Sequence, residues 1–325
     1  MSLSRRQFLQ LAAGIAASPA VSGLAHGQAY PSRSVRVIVP VGPGGQNDTI
    51  VRLVAQRLSE SLGQSFYVEN QGGGSGNIGM GAAARAPADG YTILAAGGNF
   101  VINPSLYARI PYDPVADFTA VTMLCTSPHV LAVHPSVPAA SVKELVKLAQ
   151  AGSGKLSYAS AGRGTPAHLA GELFRLAFDL DLTHVPFSGG GQAITSTIGG
   201  HTSMAVSAVP TAVPYVRAGN VRALAVMSAK RTSVLPDVPT MAEAGRPLEA
   251  DIVTGLLVRA GTRQEIVDLL HREVVKVMAA AEVRERLVTL GFEPVAGTPD
   301  EFAAWIRSEI AKWAEVIRDA NIAPQ

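Results

Sequence analysis

Residues 35–48 read Val35-Arg36-Val37-Ile38-Val39-Pro40-Val41-Gly42-Pro43-Gly44-Gly45-Gln46-Asn47-Asp48, an apolar run followed by a glycine-rich loop. The β-branched run at 35–39 is typical of a strand buried on both faces. Residues 49–62 then carry an apolar side chain at every fourth position, and Gly63 stands where a helix C-cap belongs. This stretch therefore predicts a strand, a glycine loop and a helix in succession.

The same succession recurs at three further glycine loops, at residues 72–79, 161–165 and 188–192. Alternating strands and helices predict an α/β fold with a doubly wound, mostly parallel sheet and helices on both faces. Since the second half repeats the layout of the first, we expect a two-lobe, Venus-flytrap architecture. The expected division is an export signal at 1–29, lobe I at 30–128 plus 249–325, and lobe II at 129–248.

Each glycine loop precedes a predicted helix and follows the carboxyl end of a predicted strand. A helix start exposes backbone N–H groups that have no partner within the helix, and glycine lets a ligand approach that backbone closely. Such helix starts bind anions without a cationic side chain. The loops therefore predict a neutral site for an anionic group in a cleft between the lobes.

The N-terminus predicts export from the cytoplasm. Ser4-Arg5-Arg6-Gln7-Phe8-Leu9 is a twin-arginine pattern, and a weakly apolar, alanine-rich stretch and small residues follow it. We expect cleavage near Ala29 and a periplasmic protein. The order of these features favours a signal over a buried N-terminal helix.

Composition excludes several classes of partner. The chain has 27 Lys and Arg against 25 Asp and Glu, and two of the basic residues, Arg5 and Arg6, lie in the signal. The remaining chain is close to neutral, which argues against nucleic acid or an anionic membrane as a partner. No later stretch is long and apolar enough to span a bilayer, so we expect no membrane insertion after cleavage. The single cysteine, Cys125, is interpreted as a core residue.

The sequence offers weak support for catalysis. Residues 74–79 match G-x-G-x-x-G, but the strand that follows ends without the acidic residue a dinucleotide site requires. Lipase-type, zinc-protease and paired-cysteine motifs are absent from the sequence. We therefore expect no cofactor, no metal, no catalytic residue and no enzymatic activity.

Two alternatives stay open at this point. An exported hydrolase would use Ser160 or Thr165 with His168 as the base, although a helix-stabilising contact of His168 with Glu172 is the simpler interpretation. The other alternative is a carboxylate-sensing module for a signalling partner.

Two charged residues in the loops also have two interpretations each. Asp48 either caps the helix that follows or accepts a bond from a donor group on the ligand, and the cap is favoured. Arg163 either pairs with a distal ligand carboxylate or is solvated at the rim of the cleft.

Several blocks of the chain resemble the solute receptors of tripartite tricarboxylate transporters, the Bug or TctC family. The blocks occur in the order of the family: residues 37–48, 76–79, 158–172, 185–187 with its glycines, 219–225 and 235–240. The resemblance runs from about Tyr30 to the C-terminus. It implies a periplasmic receptor, expected to be a monomer, that binds a small organic carboxylate and delivers it unchanged to membrane transporter subunits.

The resemblance also implies the ligand-binding residues. Lobe I would contribute Val41, Gly42, Gly44, Gly45, Asp48, Gly76, Asn77, Ile78 and Gly79. Lobe II would contribute Ser160, Ala161, Gly162, Arg163, Gly164 and Thr165, with Phe187 and Ser207 as weaker candidates. This chain departs from the family pattern at Val41, Arg163 and residues 205–207, and these departures bear on selectivity.

Overall fold

The opening strand and helix are present as the sequence predicts. A computed structural model of the chain describes residues 30–152 and 156–324. Strand β1 spans Val35–Val39, and helix α1 spans Gln46–Leu62. Helix α1 ends at Gly63, whose φ of 67° lies in the left-handed region expected of a glycine cap. The predicted export signal at 1–29 lies outside the described residues.

Strands and helices alternate through the rest of the first half. After α1 come β2 (Phe66–Asn70), a short 3₁₀ turn (Gly74–Gly76), α2 (Asn77–Ala84), β3 (Thr92–Ala96), α3 (Gly98–Leu106) and β4 (Phe118–Val133).

Most of the remaining elements alternate as well. The elements are α4 (Val142–Gln150), β5 (Leu156–Ser160), α5 (Pro166–Ala177), β6 (Leu182–Pro186), α6 (Gly190–Ile198), β7 (Met204–Ala208), α7 (Val209–Arg217), β8 (Arg222–Val226), β9 (Asp251–Arg259), α8 (Gln264–Ala279), α9 (Ala281–Thr289), β10 (Glu293–Pro294) and α10 (Pro299–Asp319).

The strands of the described residues form one mixed sheet with helices on both faces. Its order is β2-β1-β3-β9-β4-β7-β5-β6, and β8 and β10 also pair with β4. The outer strands pair in parallel, β1 with β2 and β3, and β5 with β6 and β7. The middle strands β9 and β4 are antiparallel to their neighbours. The parallel pairs thus flank an antiparallel centre.

Strand β4 differs from its prediction. The sequence predicts two extended runs between Val121 and His134, whereas the structure has one strand of 16 residues. Its first part, up to Pro128, pairs with β9, and residues 129–133 pair with β7 and β8. Pro128, which lacks a backbone N–H group, lies at the change of partner.

Three regions of the chain have helices whose bounds the sequence did not predict. Helices α3 and α7 contain Pro104 and Pro214, although proline usually disfavours a helix interior. The sequence predicts one helical region from Thr262 to Leu290. The structure instead has two helices, because the backbone of Ala280 is extended between α8 and α9. None of the helices in the described part of the chain has the length and apolar character needed to cross a membrane.

The centre of the sheet is closely packed against the C-terminal helix. Gly255 in β9 lies under the ring of Phe302 in α10, which is 1% exposed. A Cβ atom added at Gly255 would lie 2.2 Å from Cζ of that ring. Because β9 is paired on both sides, the strand has little freedom to move away.

Gly255→Ala should therefore lower the free energy of unfolding by about 1–3 kcal/mol, since the ring must leave its position. Urea denaturation followed by circular dichroism measures the change, and Gly255→Ala with Phe302→Leu should recover part of it. Gly191→Ala in α6 is the matched control, because nothing lies within 4 Å of its Cβ position. An unchanged unfolding midpoint for Gly255→Ala would contradict this packing.

Candidate functional site

A cleft of about 620 Å³ lies at the carboxyl ends of several strands. All four predicted glycine loops contribute to its wall, together with the residues after β3 and part of β9. The residues that line it are Pro40, Val41, Gly42, Pro43, Gly45, Gln46, Asn47, Ser75, Met80, Gly97, Gly98, Asn99, Ala161, Ser188, Gly189, Ile252, Val253, Thr254 and Phe292.

Three helices begin at this cleft without a side-chain cap. The N-cap residues of α1, α3 and α6 are Gly45, Gly97 and Gly189, and none of them has a side chain to bond the first-turn N–H groups. Helix α5 differs, because the side chain of Thr165 accepts a bond from the His168 N–H. The cleft therefore presents backbone donors and the positive ends of three helix dipoles.

The lining of the cleft is neutral. None of the described residues that line it has an ionisable side chain, and Val41, Met80, Ile252, Val253 and Phe292 make much of it apolar. A carboxylate bound here would be stabilised by backbone N–H groups and side-chain amides rather than by a cation. The site can bind and release an anion.

Asp48 is buried beside the first loop and is not part of the cleft wall. Its carboxylate accepts bonds from the Gly44 N–H (2.9 Å), Arg52 Nε (3.0 Å) and Asn70 Nδ2 (2.8 Å). Burial acts to raise the pKa of Asp48, but these three bonds outweigh it and hold the pKa below its ordinary value. The bond to Gly44 precedes the helix, so Asp48 fixes the loop rather than capping the first turn of α1.

The second glycine loop contributes to the cleft through Ser75 rather than through the residues the resemblance implied. Gly76 and Gly79 pack against Pro40 and Gln71, with no room for a Cβ atom. The Asn77 side chain accepts a bond from Asn103, and Ile78 is 61% exposed outside the cleft wall. A ligand-binding role for these four residues stays a prediction.

The third loop contributes Ala161 to the cleft wall. Ser160 is fully buried and bonds His184 Nε2 at 2.7 Å, and the Gly164 N–H donates to His168 Nδ1 at 3.1 Å. Glu172 bonds Tyr158 and Arg175 and not His168, so the predicted His168–Glu172 contact is wrong. The Ser160–His184 pair lies beneath the loop and not in the cleft wall.

The other sequence-predicted residues lie near the cleft without lining it. Gly44 faces a neighbouring cleft of about 450 Å³, and Phe187 faces a separate groove along α6. Ser207 is buried in β7, while Gly162 and the exposed Arg163 belong to the third loop. Their contact with a ligand stays a prediction.

Sequence reasoning missed the part of the cleft formed by α3, β9 and Phe292. Gly97 and Gly98 follow β3 as the four glycine loops follow their strands. This pair of glycines could therefore have been recognised in the sequence as a fifth loop at the cleft. Ile252, Val253, Thr254 and Phe292 reach the cleft through the antiparallel centre of the sheet, which no local pattern indicates.

The fold and this neutral cleft at the strand ends define a solute-binding protein of the periplasmic type. Residues 50–322 match the family model described as tripartite tricarboxylate transporter family receptor, and the chain belongs to that family. Membership confirms the resemblance stated from the motifs. It also confirms that the chain is a binding receptor and not an enzyme, because the related proteins are substrate-binding proteins.

Three solved structures are similar over nearly their whole length. Rpa4515 of R. palustris, solved with adipate, is 35% identical with a TM-score of 0.78, covering 91% of this chain and 100% of that one. The periplasmic binding protein BugD is 31% identical with a TM-score of 0.76, at 91% and 100% coverage. MatC (Rpa3494) from Rhodopseudomonas palustris, with bound malate, is 32% identical with a TM-score of 0.74, at 89% and 100% coverage.

Two stacked histidines support the third loop from below. The rings of His168 and His184 are 4.0 Å apart, between Tyr158 and the loop. Burial and, to a smaller extent, the nearby positive charge of Arg163 lower the pKa of His168 to about 4. Burial likewise lowers the pKa of His184 to about 4, with His168 and Arg163 adding to it and Glu172 opposing. Both rings are neutral in the folded protein near pH 7.

The free energy of unfolding should therefore fall as the pH drops from about 6.5 toward 4. In this window the unfolded histidines, with ordinary pKa values near 6.5, bind protons that the folded ones do not. The slope is up to about 1 kcal/mol per pH unit for each histidine. Urea unfolding between pH 7 and pH 4 measures it.

His184→Gln isolates this contribution, since Asp251, whose pKa burial raises to about 7, acts in the opposite direction in both proteins. The variant should show a shallower loss of stability toward acid than the unmodified protein. Equal slopes for the two proteins would contradict the assignment of a neutral histidine pair.

Proposed function

We propose that this chain is a periplasmic receptor that captures a small organic carboxylate in its cleft and delivers it unchanged to the subunits of a tripartite tricarboxylate-type membrane transporter. The observation that carries this proposal is the group of three uncapped helix starts around a cleft without ionisable side chains. Donors of this kind suit an anion that has to be released again.

The related structures support the choice of anion. Rpa4515 was solved with adipate and MatC with malate, and both molecules are small dicarboxylates. A carboxylate on this chain would accept bonds from the first-turn N–H groups of α1, α3 and α6. A ligand with only cationic or neutral groups would leave these donors without a partner, at a cost in free energy.

The proposed mechanism is closure of two lobes, residues 30–128 plus 249–325 and residues 129–248, over the ligand. In support, β4 changes its pairing from β9 to β7 and β8 near residue 129, and the return strand β9 begins at Asp251. The two boundaries thus lie side by side, at the Pro128–Asp251 pair. A hinge needs only a few residues at the ends of elements to absorb the change in backbone dihedrals, and these two boundaries supply such residues.

We also propose that the mature chain is a periplasmic monomer, formed by cleavage of the predicted export signal near Ala29. The twin-arginine pattern at residues 4–9 and the family of periplasmic receptors support the location. Release of the ligand to the transporter then requires only opening of the cleft, with no bond chemistry.

Thermal unfolding of the purified chain tests the proposal. Linear mono-, di- and tricarboxylates are added one at a time, with matched neutral amides as controls. A ligand that binds the folded state raises the melting temperature by mass action, by a few degrees at 100 times its Kd. No shift with any carboxylate across the panel would contradict a carboxylate receptor.

Asn47→Asp should weaken carboxylate binding at least about tenfold while the fold is retained. Asn47 lines the cleft in the first turn of α1. A carboxylate at this position would repel the carboxylate of the ligand, but it would stabilise the helix through the helix dipole. Isothermal titration calorimetry measures affinity, and thermal unfolding without ligand checks the fold.

Asn220→Asp is the matched control, because Asn220 is exposed in the turn between α7 and β8 and does not line the cleft. This variant should bind as the unmodified protein does. Equal affinities for Asn47→Asp and Asn220→Asp would place the anion elsewhere on the protein.

A further inference from the structure

Ser75 lines the cleft in a backbone conformation that a serine rarely adopts. Its φ of 54° and ψ of 31° lie in the left-handed region, inside the turn Gly74–Gly76. This conformation costs an L-residue about 1 kcal/mol or more, whereas glycine adopts it freely. The neighbouring residues of the turn are both glycine. A serine at position 75 is therefore less favourable for this backbone conformation than a third glycine would be.

Helix α3 and the residue that follows it fix Ser75 with three hydrogen bonds. The Nδ2 atoms of Asn99 and Asn103 donate to the Ser75 carbonyl oxygen at 3.2 and 3.1 Å. The hydroxyl of Tyr107, the residue after α3, donates to Ser75 Oγ at 2.8 Å. Asn103 is fully buried, so one of these three donors belongs to the core of the protein.

These bonds determine what the Ser75 hydroxyl can offer to a ligand. Since Tyr107 donates to Oγ, the serine's own proton remains to be donated. No acceptor for it occurs in residues 30–152 or 156–324. A hydroxyl that accepts one bond becomes a better donor for the next. Ser75 is exposed at the cleft, where it is a side-chain donor beside the start of α3.

We propose that Ser75 is a specificity-determining residue, whose hydroxyl donates to the second carboxylate of a dicarboxylate ligand. This inference rests on the proposed carboxylate-receptor function. The other carboxylate is bound by the uncapped helix starts of α1 and α6, which form a separate set of donors. Tyr107 is a positioning residue, because it acts only through the direction of the Ser75 proton.

The test compares linear dicarboxylates of four to eight carbons with their monomethyl esters, which retain one carboxylate and nearly the same shape. Calorimetry on the purified full chain gives the affinity ratio of each diacid to its ester. The variants are Ser75→Gly, which removes the hydroxyl and the backbone strain together, and Tyr107→Phe. The control is Asn321→Gly, which relaxes a similar left-handed residue (φ 52°) after α10, outside the cleft.

The unmodified protein should prefer its best diacid over the ester by about tenfold or more, as expected for a hydrogen bond to a charged group. Ser75→Gly should lose most of this preference, with unchanged affinity for the ester and an equal or higher melting temperature. Tyr107→Phe should lose part of it, since the hydroxyl is retained without its orienting donor. Asn321→Gly should bind as the unmodified protein does.

Three outcomes would overturn the inference. The first is an unchanged ratio in Ser75→Gly, and the second is an equal loss of affinity for diacid and ester. The third is an unmodified protein that binds only monocarboxylates or tricarboxylates, which leaves the receptor function intact. Failure to bind any carboxylate would instead contradict the proposed function itself.

Discussion

The antiparallel pairing of β4 with β9 is the contact on which the rest of the structure depends. These strands connect the parallel strands of the first half to those of the second half, through nine Cα partners from Phe118 to Pro128. They also bring Ile252, Val253 and Thr254 into the cleft wall. The glycine loops that follow the parallel strands on either side line the same cleft.

The anion site follows from the helix N–H groups that this arrangement leaves without a hydrogen-bond partner. Three helices begin with glycine at the cleft, and their first-turn N–H groups have no side-chain cap. Two carboxylates near the site are used in the fold instead: Asp48 bonds Gly44, Arg52 and Asn70, and Glu172 bonds Tyr158 and Arg175. The loops are thereby held in shape, while the cleft stays neutral.

Local patterns predicted much of this fold. The strand at Val35–Val39 and the glycine cap at Gly63 are both confirmed, because each depends on neighbouring residues alone. Helices α3 and α7 contain Pro104 and Pro214, and their bounds were not predicted from the sequence. The continuity of β4 across Pro128 depends on partners distant in sequence.

The candidate site was predicted less completely, for the same reason. Glycine loops are visible in sequence, so all four were placed at the cleft. Which atoms of a loop face the cleft depends on packing: Gly76 and Gly79 are pressed against Pro40 and Gln71, and Ser75 is turned outward by α3. Phe292 and the β9 residues carry no local signal of a site.

The most direct test of the central claim is a crystal structure of the purified chain with a bound carboxylate, adipate for example. The account predicts carboxylate oxygens within about 3.1 Å of first-turn N–H groups of α1, α3 or α6, with no Lys or Arg side chain in contact. A carboxylate paired directly with Arg163 or another cation, away from these helix starts, would contradict it.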